Sequence, residues 1–283
     1  MDTVGVILNY NDFETTEKLL NKIKDYTALK HIVVVDNKST DDSYEKLKKY
    51  SSEKIHIILA DKNGGYGYGN NLGIKYAYDK LKAKAILIAN PDTYFENECI
   101  EAMQNTLANQ INCAVVSVVE KNNTQYNAWK NISAFKDVLS TSIIFNRLLG
   151  VRYYKKEYFE GKEWVYVDVV GGPMLMVRAD IMIQYGMYDE EFFLYEEEKV
   201  LAYKMKEHNF KTILLLTHSY EHNHSVSINK TYKSEVHKKR ILLKSKKMYL
   251  SKYLKINKFE KFMCNIFFGY TLIEMFVYMK FKK

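Results

Sequence analysis

The segment of residues 31–37, His-Ile-Val-Val-Val-Asp-Asn, decides the fold of this chain, because an apolar run leads directly into a carboxylate. The arrangement recurs at residues 85–92, Ala-Ile-Leu-Ile-Ala-Asn-Pro-Asp, and residues 55–59 form another apolar run before a glycine-rich stretch. Short apolar runs bounded by polar residues are typical of buried parallel strands. Because open α/β sheets bind ligands at the carboxyl ends of their strands, the pattern predicts a nucleotide site there.

Amphipathic segments alternate with these apolar runs through the first 120 residues. Strands are predicted at 4–8, 31–35, 55–59, 85–89 and 114–119, and helices at 12–26, 42–50, 70–81 and 98–107. The alternation predicts an α/β fold with a mostly parallel central sheet, Rossmann-like in its first half and flanked by helices. Residues 120–164 lose this rhythm, so we expect an irregular insertion, and apolar periodicity resumes at 165–170, 174–177 and 212–216.

Composition limits the class of protein. A chain of 283 residues with 47% hydrophobic content can bury one large core, or one domain with an appendage. Cys99, Cys113 and Cys264 have no metal-ligand spacing, and their odd number argues against a disulfide framework. No basic and then apolar leader is visible at the start, so we expect a cytoplasmic location.

Positive charge is concentrated at the end of the chain. Residues 230–283 carry fifteen Lys or Arg against three Asp or Glu, whereas the preceding part carries 27 against 31. We therefore predict two parts, a domain of residues 1–229 and a basic helical tail of residues 230–283. A lysine-rich compositional bias is the alternative explanation, and attraction to anionic lipid is the functional one.

Three polar stretches supply candidate site residues. Asp36 can accept a hydrogen bond from a pyrimidine base or a ribose, or it can simply cap the next turn. The run Asn63-Gly64-Gly65-Tyr66-Gly67-Tyr68-Gly69-Asn70-Asn71 lets backbone approach a diphosphate at a helix amino terminus, or forms a flexible loop. Asn90 and Asp92 offer oxygen ligands that suit Mg²⁺ or Mn²⁺, although Asn-Pro-Asp alone is a common turn.

Two well-known nucleotide motifs are missing. Asn9, Tyr10 and Asn11 follow the first strand where a dinucleotide fingerprint would need glycines, and no Gly-Lys-Ser/Thr follows a glycine run. In the second half, Glu196, Glu197 and Glu198 precede a predicted helix, either as catalytic carboxylates or as favourable charges at its amino terminus. Histidines 218, 222 and 224 lack a nearby cysteine or fourth ligand, so zinc is not favoured.

These motifs in this order resemble family 2 glycosyltransferases, most closely the rhamnosyltransferase-like branch of bacterial polysaccharide biosynthesis. The resemblance spans about residues 4–225 and also includes Gly171-Gly172-x-x-Leu175 and the run Asp-Glu-x-Phe-Phe-Leu-Tyr-x-Glu-Glu at 189–198. It implies a GT-A fold, a nucleoside-diphosphate sugar donor and inversion at the anomeric carbon.

The resemblance also implies roles for particular residues. Glu198 would be the catalytic base with Glu197 beside it, and Asp92 would hold Mg²⁺ or Mn²⁺ with His222 as an auxiliary metal or phosphate contact. Asp36 would contact the base. The other donor-binding candidates are Asn9, Tyr10, Asn11, Asn37, Asn63, Gly65, Tyr66, Gly67, Asn71, Asn90 and Gly172. The family's usual Asp-x-Asp is Asn90-Pro91-Asp92 here, and Glu198 stands where Asp is usual, so one ligand is neutral and the base has a longer arm.

The sequence of the tail indicates that it associates with a membrane surface or with another subunit. Lysines recur among Ile241, Leu242, Leu243, Met248, Leu250 and Leu254, the pattern of a basic amphipathic helix. Polar residues interrupt the apolar stretch 262–281, which favours lying in the membrane interface over spanning it. We expect peripheral attachment to the inner face of the cell membrane, where a lipid-linked or glycan acceptor is presented, with packing onto another subunit of a homo-oligomer as the alternative.

Two other function classes are weaker. A nucleotidyltransferase should show a basic glycine-rich loop after the first strand, and Asn9-Tyr10-Asn11 is not one. A nucleic-acid binder could use the lysines, but it would not explain carboxylates at strand ends, so no nucleic acid is expected as a partner. The donor is predicted as dTDP-rhamnose or a UDP-sugar.

Overall fold

The computed structural model describes residues 1–123, 126–149, 153–223 and 234–281. Strands and helices alternate through the first half, as the sequence predicts. The strands are β1 (Thr3–Asn9), β2 (His31–Asp36), β3 (Ile55–Leu59), β4 (Ala85–Ala89), β5 (Thr93–Tyr94) and β6 (Cys113–Glu120). The helices are α1 (Phe13–Ile23), α2 (Ser43–Lys48), α3 (Tyr66–Asp79) and α4 (Asn97–Asn109).

The second half completes the sheet. It contains β7 (Ala128–Trp129), α5 (Ala134–Leu139), α6 (Ile143–Leu149), a 3₁₀ turn (Lys156–Tyr158), β8 (Trp164–Val167), β9 (Val169–Val170) and β10 (Met174–Arg178). It continues with α7 (Ala179–Ile181), a π-helical turn (Met182–Gly186), α8 (Glu197–Glu207), β11 (Lys211–His222), α9 (Glu235–Lys252) and α10 (Lys258–Phe281). The predicted irregular insertion is thus a set of short elements.

Within the described residues the central sheet has nine strands. Its main path runs β3-β2-β1-β4-β10-β6-β11-β5, and β8 also pairs with β11. Strands β1 to β4 are parallel, and β6 and β11 are parallel to each other. Strand β10 lies antiparallel between β4 and β6, and β5 and β8 are antiparallel to β11. The prediction of a mostly parallel sheet is confirmed, and these antiparallel strands were not foreseen.

Alternate residues of each inner strand face two different cores, because strand side chains point to opposite faces with a period of two. On β2, Ile32 and Val34 pack in the core that includes Leu19 of α1. Val33 and Val35 pack in the other core, which includes Ile74 of α3. Helices therefore cover both faces, and the polar strand ends are left together at one edge.

The basic tail packs against the rest of the chain. The apolar side of α9 is buried, since Leu243 and Leu250 form a core with Val138 of α5 and Phe268 of α10. This corrects one expectation: Leu243 and Leu250, which were part of the predicted membrane-facing stripe, lie inside the protein, whereas Leu242 is half-buried. Among the described residues, α10 is long and apolar enough to cross a membrane by length and composition alone. The predicted boundary at residue 229 lies outside the described residues.

Candidate active site

A network of polar side chains surrounds the buried Asp36 at the carboxyl ends of β1 and β2. One carboxylate oxygen accepts hydrogen bonds from Asn9 Nδ2 at 2.8 Å and from Ser39 Oγ at 2.7 Å. The other accepts from the backbone N–H of Ser39 at 2.8 Å. Asp36 therefore caps the following turn, and its contact with a nucleotide base stays a prediction.

The loops after β1 and β2 are joined into one unit. Asn11 has a left-handed backbone, with φ of 50°, and its N–H donates to Ser39 Oγ at 2.9 Å. Its side-chain oxygen accepts from the backbone N–H of Thr40 at 2.7 Å. Tyr10 lies half-buried between Asn9 and Asn11. The predicted residues of the first loop thus form a fixed polar wall next to Asp36.

The glycine-rich loop is tied to β2 and to the second half of the chain. Asn37 Nδ2 donates to Asn63 Oδ1 and to the carbonyl of Gly65, each at 3.1 Å. Gly65 has φ of +90°, a left-handed backbone that favours glycine. An added Cβ there would overlap the backbone of Phe193, whose carbonyl accepts from the N–H of Tyr66 at 3.0 Å. The loop is therefore held in place from two sides and is not simply flexible.

The amino end of α3 holds two other loops. Tyr66 hydroxyl donates to the carbonyl of Gly172 at 3.2 Å, and Gly67 lies against Tyr188. Asn71 is buried and bonds away from the loop, because its Nδ2 donates to the carbonyl of Tyr188 and to Glu190 Oε1, both at 2.9 Å. Asn71 therefore positions the segment that leads to the glutamates, and its predicted role in donor binding stays a prediction.

The strand end at Asp92 meets the end of β11. The N–H of Asn90 donates to the carbonyl of Pro173 at 2.8 Å, which fixes the turn that presents Asp92. His222 Nε2 lies 3.3 Å from Asp92 Oδ1, and His222 Nδ1 lies 3.5 Å from Glu120 Oε1. Burial opposes the charged imidazole, but hydrogen bonds and charge from both carboxylates raise the pKa of His222 to about 9. His224 lies outside the described residues.

Glu197 and Glu198 begin α8 directly after a strained turn. Tyr195 and Glu196 both have left-handed backbones, with φ of 73° and 75°. Glu198 Oε1 accepts a hydrogen bond from the N–H of Gly172 at 3.3 Å. Glu197 is buried, and burial followed by repulsion from Glu198 raises its pKa well above the ordinary value. The two neighbouring carboxylates therefore have different environments.

Tyr220 of β11 is a buried tyrosine whose ionisation several site carboxylates oppose. Its hydroxyl accepts from Asn127 Nδ2 at 2.5 Å. Burial raises the pKa of Tyr220 well above its ordinary value, and the negative charges of Glu120, Asp92 and Glu198 raise it further. The carboxylates of β6, the β4 loop and α8 thus all disfavour the ionised form of this phenol. Asp36 is linked to this group through the glycine-rich loop.

Glu120 and the contacts of Tyr220 were missed by the sequence analysis. Glu120 is buried and ends β6, so the signal that marked Asp36, a carboxylate after an apolar run, was also available there. Asn127 gave no such signal, because it lies in the irregular insertion and meets Tyr220 across 93 residues of sequence.

Asp92 and His222 are suitable ligands for a divalent ion. A carboxylate oxygen and an imidazole nitrogen suit Mn²⁺, and an ion with two protein ligands would complete its shell with phosphate oxygens and water. Within the described residues, no group of three or more His, Cys, Asp or Glu side chains forms a metal site by itself. The donor set therefore fits a metal shared with a diphosphate, and binding would displace the proton of His222.

Solved structures of similar shape identify the fold. The mannosyltransferase PcManGT from Pyrobaculum calidifontis, in complex with GDP-Man and Mn²⁺, matches 90% of this chain and 65% of its own with a TM-score of 0.62 and 14% identity. GalNAc-T7 with UDP, GalNAc and Mn²⁺ matches 78% of this chain and 44% of its own, with a TM-score of 0.63 and 11% identity. The fold is that of the GT-A glycosyltransferases.

The chain belongs to glycosyl transferase family 2, whose sequence model matches residues 6–181. It is 28% identical over 204 residues to the low-salt glycan biosynthesis hexosyltransferase Agl10 of Haloferax volcanii, covering 72% of this chain and 61% of that protein. It is 26% identical over 193 residues to the dTDP-rhamnosyl transferase RfbF of Shigella flexneri, covering 67% and 58%. The matches therefore span about three fifths of each relative.

Proposed function

We propose that this glycosyltransferase moves a hexose from a nucleoside-diphosphate donor to a hydroxyl of a surface glycan or lipid-linked acceptor, with inversion at the anomeric carbon. The observation that carries the proposal is the position of Glu198, which accepts from the N–H of Gly172, while the carbonyl of the adjacent Pro173 accepts from the N–H of Asn90 in the turn that contains Asp92. This connection supports Glu198 as a base beside a diphosphate held near Asp92.

The proposed reaction is a single displacement. The acceptor oxygen forms a bond to the anomeric carbon, the bond from that carbon to the diphosphate breaks, and the hydroxyl proton passes to Glu198. A positioned base of this kind contributes roughly 10²- to 10⁴-fold to the rate. Glu197 is less suited to the role, because its raised pKa favours the protonated form.

The donor is proposed to lie along the edge formed by β1, β2 and β4. Asp36, Asn9 and Asn11 would bind the nucleoside, and the backbone from Asn63 to Gly67 would approach the diphosphate. Asp92 and His222 would hold Mg²⁺ or Mn²⁺, which when bound supplies positive charge opposite the leaving diphosphate. RfbF is named a dTDP-rhamnosyl transferase and GalNAc-T7 was solved with UDP, which supports dTDP-rhamnose or a UDP-sugar as the donor.

A donor screen tests this proposal. The melting temperature of the protein is measured with a panel of nucleotide sugars, with and without Mn²⁺, because a ligand that binds the native state raises it. We expect one donor class to stabilise the protein, and Glu198→Gln to keep that shift while losing release of nucleoside diphosphate. Glu207→Gln, an exposed residue at the far end of α8, is the matched control. Near-normal turnover by Glu198→Gln would remove Glu198 from the mechanism.

We also propose that α10 attaches the enzyme peripherally to the inner face of the cell membrane. One side of α10 packs on the protein through Phe268, while Phe262, Ile266 and Ile273 are 59%, 55% and 66% exposed. Glu274 on the same helix accepts hydrogen bonds from Ser142 Oγ and from the N–H groups of α6. A helix with one side on protein and an apolar outer side suits the membrane interface, where nearby lysines would attract anionic lipid.

Vesicle sedimentation tests the attachment. We expect the protein to sediment with anionic vesicles, and the double variant Ile266→Asp/Ile273→Asp to stay in solution with an unchanged melting temperature. Ile111→Asp, at a residue that is 84% exposed and far along the chain from α10, is the control. If the double variant still sediments, α10 is not the anchor, and a change of size in solution would instead indicate that α10 joins two copies.

A further inference from the structure

Four charged side chains meet below the turn that leads into α8, and we name Asp137, Glu196, Lys199 and Lys246 the charge cluster. Each of them is buried. Lys246 Nζ lies 2.8 Å from Glu196 Oε1 and 2.9 Å from Asp137 Oδ1. Lys199 Nζ lies 2.5 Å from Asp137 Oδ1 and 3.3 Å from Glu196 Oε2. Two cations and two anions therefore form a closed, neutral set.

The members of the charge cluster come from three distant parts of the chain. Asp137 lies on α5 of the irregular insertion, Glu196 and Lys199 lie at the start of α8, and Lys246 lies on α9. Burial opposes ionisation of Asp137, but the charges of Lys246 and Lys199 lower its pKa to about 2. The same attraction raises the pKa of Lys246. All three parts are thus held by ionised groups that water does not reach.

Other contacts of α9 fall on the same segment. Ser245 Oγ donates to the carbonyl of Leu194 at 2.7 Å. Tyr253 hydroxyl and Lys252 Nζ bond to Asp189 Oδ2 at 2.6 Å and 2.7 Å. The segment from Asp189 to Lys199 is therefore attached to α9 at its start, at its middle and at its end.

The strained turn gives these contacts a function. Non-glycine residues with left-handed backbones are energetically unfavourable and persist where the surrounding structure holds them. Tyr195 and Glu196 are two such residues in succession, and Glu197 and Glu198 follow directly. A change in the Tyr195–Glu196 turn would rotate the first turn of α8 and move the Glu198 carboxylate relative to Gly172.

We propose that Lys246 is a positioning residue of the transfer reaction, which acts through Glu196 to hold the Tyr195–Glu196 turn and thereby aims Glu198 into the site. The inference rests on the proposed function. By this proposal α9 contributes to catalysis, although the sequence of α9 suggested only a basic tail. Among the described contacts, the segment that Lys246 holds reaches the donor loop through Phe193, whose carbonyl accepts from the N–H of Tyr66, and not through Asp36 or Asn9. Lys246 should therefore affect kcat more than donor affinity.

Three variants test the role of Lys246. Lys246→Met removes one cation and leaves the charge cluster with a net negative charge, so it should also lower the melting temperature. Lys246→Met/Glu196→Gln removes both partners and restores neutrality without restoring the ion pair. Lys247→Met changes the exposed neighbouring lysine and is the matched control. The full chain is used throughout.

The expected result separates positioning from stability. Lys246→Met should lower kcat about 10- to 100-fold and raise the donor KM by a clearly smaller factor, since a misplaced group costs up to about 10²-fold per ångström. The double variant should recover most of the melting temperature and keep the low kcat. Recovery of kcat in the double variant, or a wild-type kcat in Lys246→Met, would overturn the proposal.

A second measurement does not depend on activity. Amide hydrogen exchange of residues 192–199 should be faster in Lys246→Met and in the double variant than in Lys247→Met, with exchange in β1 to β4 unchanged. Unchanged exchange in this segment would also overturn the proposal. If wild-type protein transfers no sugar from any donor, the proposed function fails while this exchange result still decides whether Lys246 holds the turn.

Discussion

Replacing Gly172 by alanine tests the position of Glu198 with a single methyl group. Gly172 does not have a left-handed backbone, so alanine is compatible with its conformation. An added Cβ would lie 3.0 Å from Glu198 Oε1 and 3.2 Å from Glu198 Cγ, and these contacts are too short, so Glu198 must withdraw by a few tenths of an ångström. Since a 1 Å misplacement can cost about 10²-fold, we expect kcat to fall about tenfold, or about 1.4 kcal/mol in transition-state free energy.

The assay is release of nucleoside diphosphate at saturating donor, with the melting temperature measured in parallel. The methyl group touches only the end of a half-buried side chain, so the free energy of unfolding should change by no more than about 0.5 kcal/mol. The double variant Gly172→Ala/Glu198→Asp has an acidic side chain shorter by one methylene, which makes room for the added methyl group, and it should regain part of kcat. Gly269→Ala, where an added Cβ has no neighbour within 4 Å, is the control. An unchanged kcat in Gly172→Ala would refute the assignment of Glu198.

Three further perturbations test the site. Glu197→Gln should become more stable than wild type as pH rises above about 4.5, because the raised pKa of Glu197 makes its ionisation oppose folding. The difference in free energy of unfolding should grow by at most about 1.4 kcal/mol per pH unit. Urea unfolding at several pH values measures it, and a difference that does not change with pH contradicts the prediction. Gly65→Ala should destabilise the protein by about 2 kcal/mol or more in urea, because a left-handed backbone and the Phe193 carbonyl both oppose a Cβ. Asp92→Asn should lose the Mn²⁺-dependent part of donor stabilisation in thermal melts and keep the Mn²⁺-independent part.

The first half of the fold could be predicted because its signals are local. The apolar runs that end in Asp36 and Asp92 each lie within a few residues, and strand periodicity together with helix capping is enough to place them. The glycine-rich loop was predicted as the start of a helix, and α3 does begin there, at Tyr66.

The remaining parts depend on contacts between distant residues. The antiparallel insertion of β10 between β4 and β6 follows from strand pairing across the whole sheet, and no local pattern in residues 174–178 marks it. In the sequence, Lys246 is one lysine of a basic run that would be expected to face solvent. Nothing near it in sequence shows that Asp137 Oδ1 lies 2.9 Å from its Nζ atom. Burial of a charged group is set by its partner, and the partner is more than one hundred residues earlier.

The docking of α9 has a practical consequence for producing this enzyme. Cutting the chain after residue 229 to remove its apolar end would leave Asp137, Glu196 and Lys199 with an unbalanced negative charge and would strip Val138 of its apolar cover. Such a shortened protein should express as a poorly folded or inactive species, and that outcome could be mistaken for a missing cofactor. Retaining residues 235–257 and changing only the outer face of α10 to polar residues is the better route to a soluble enzyme.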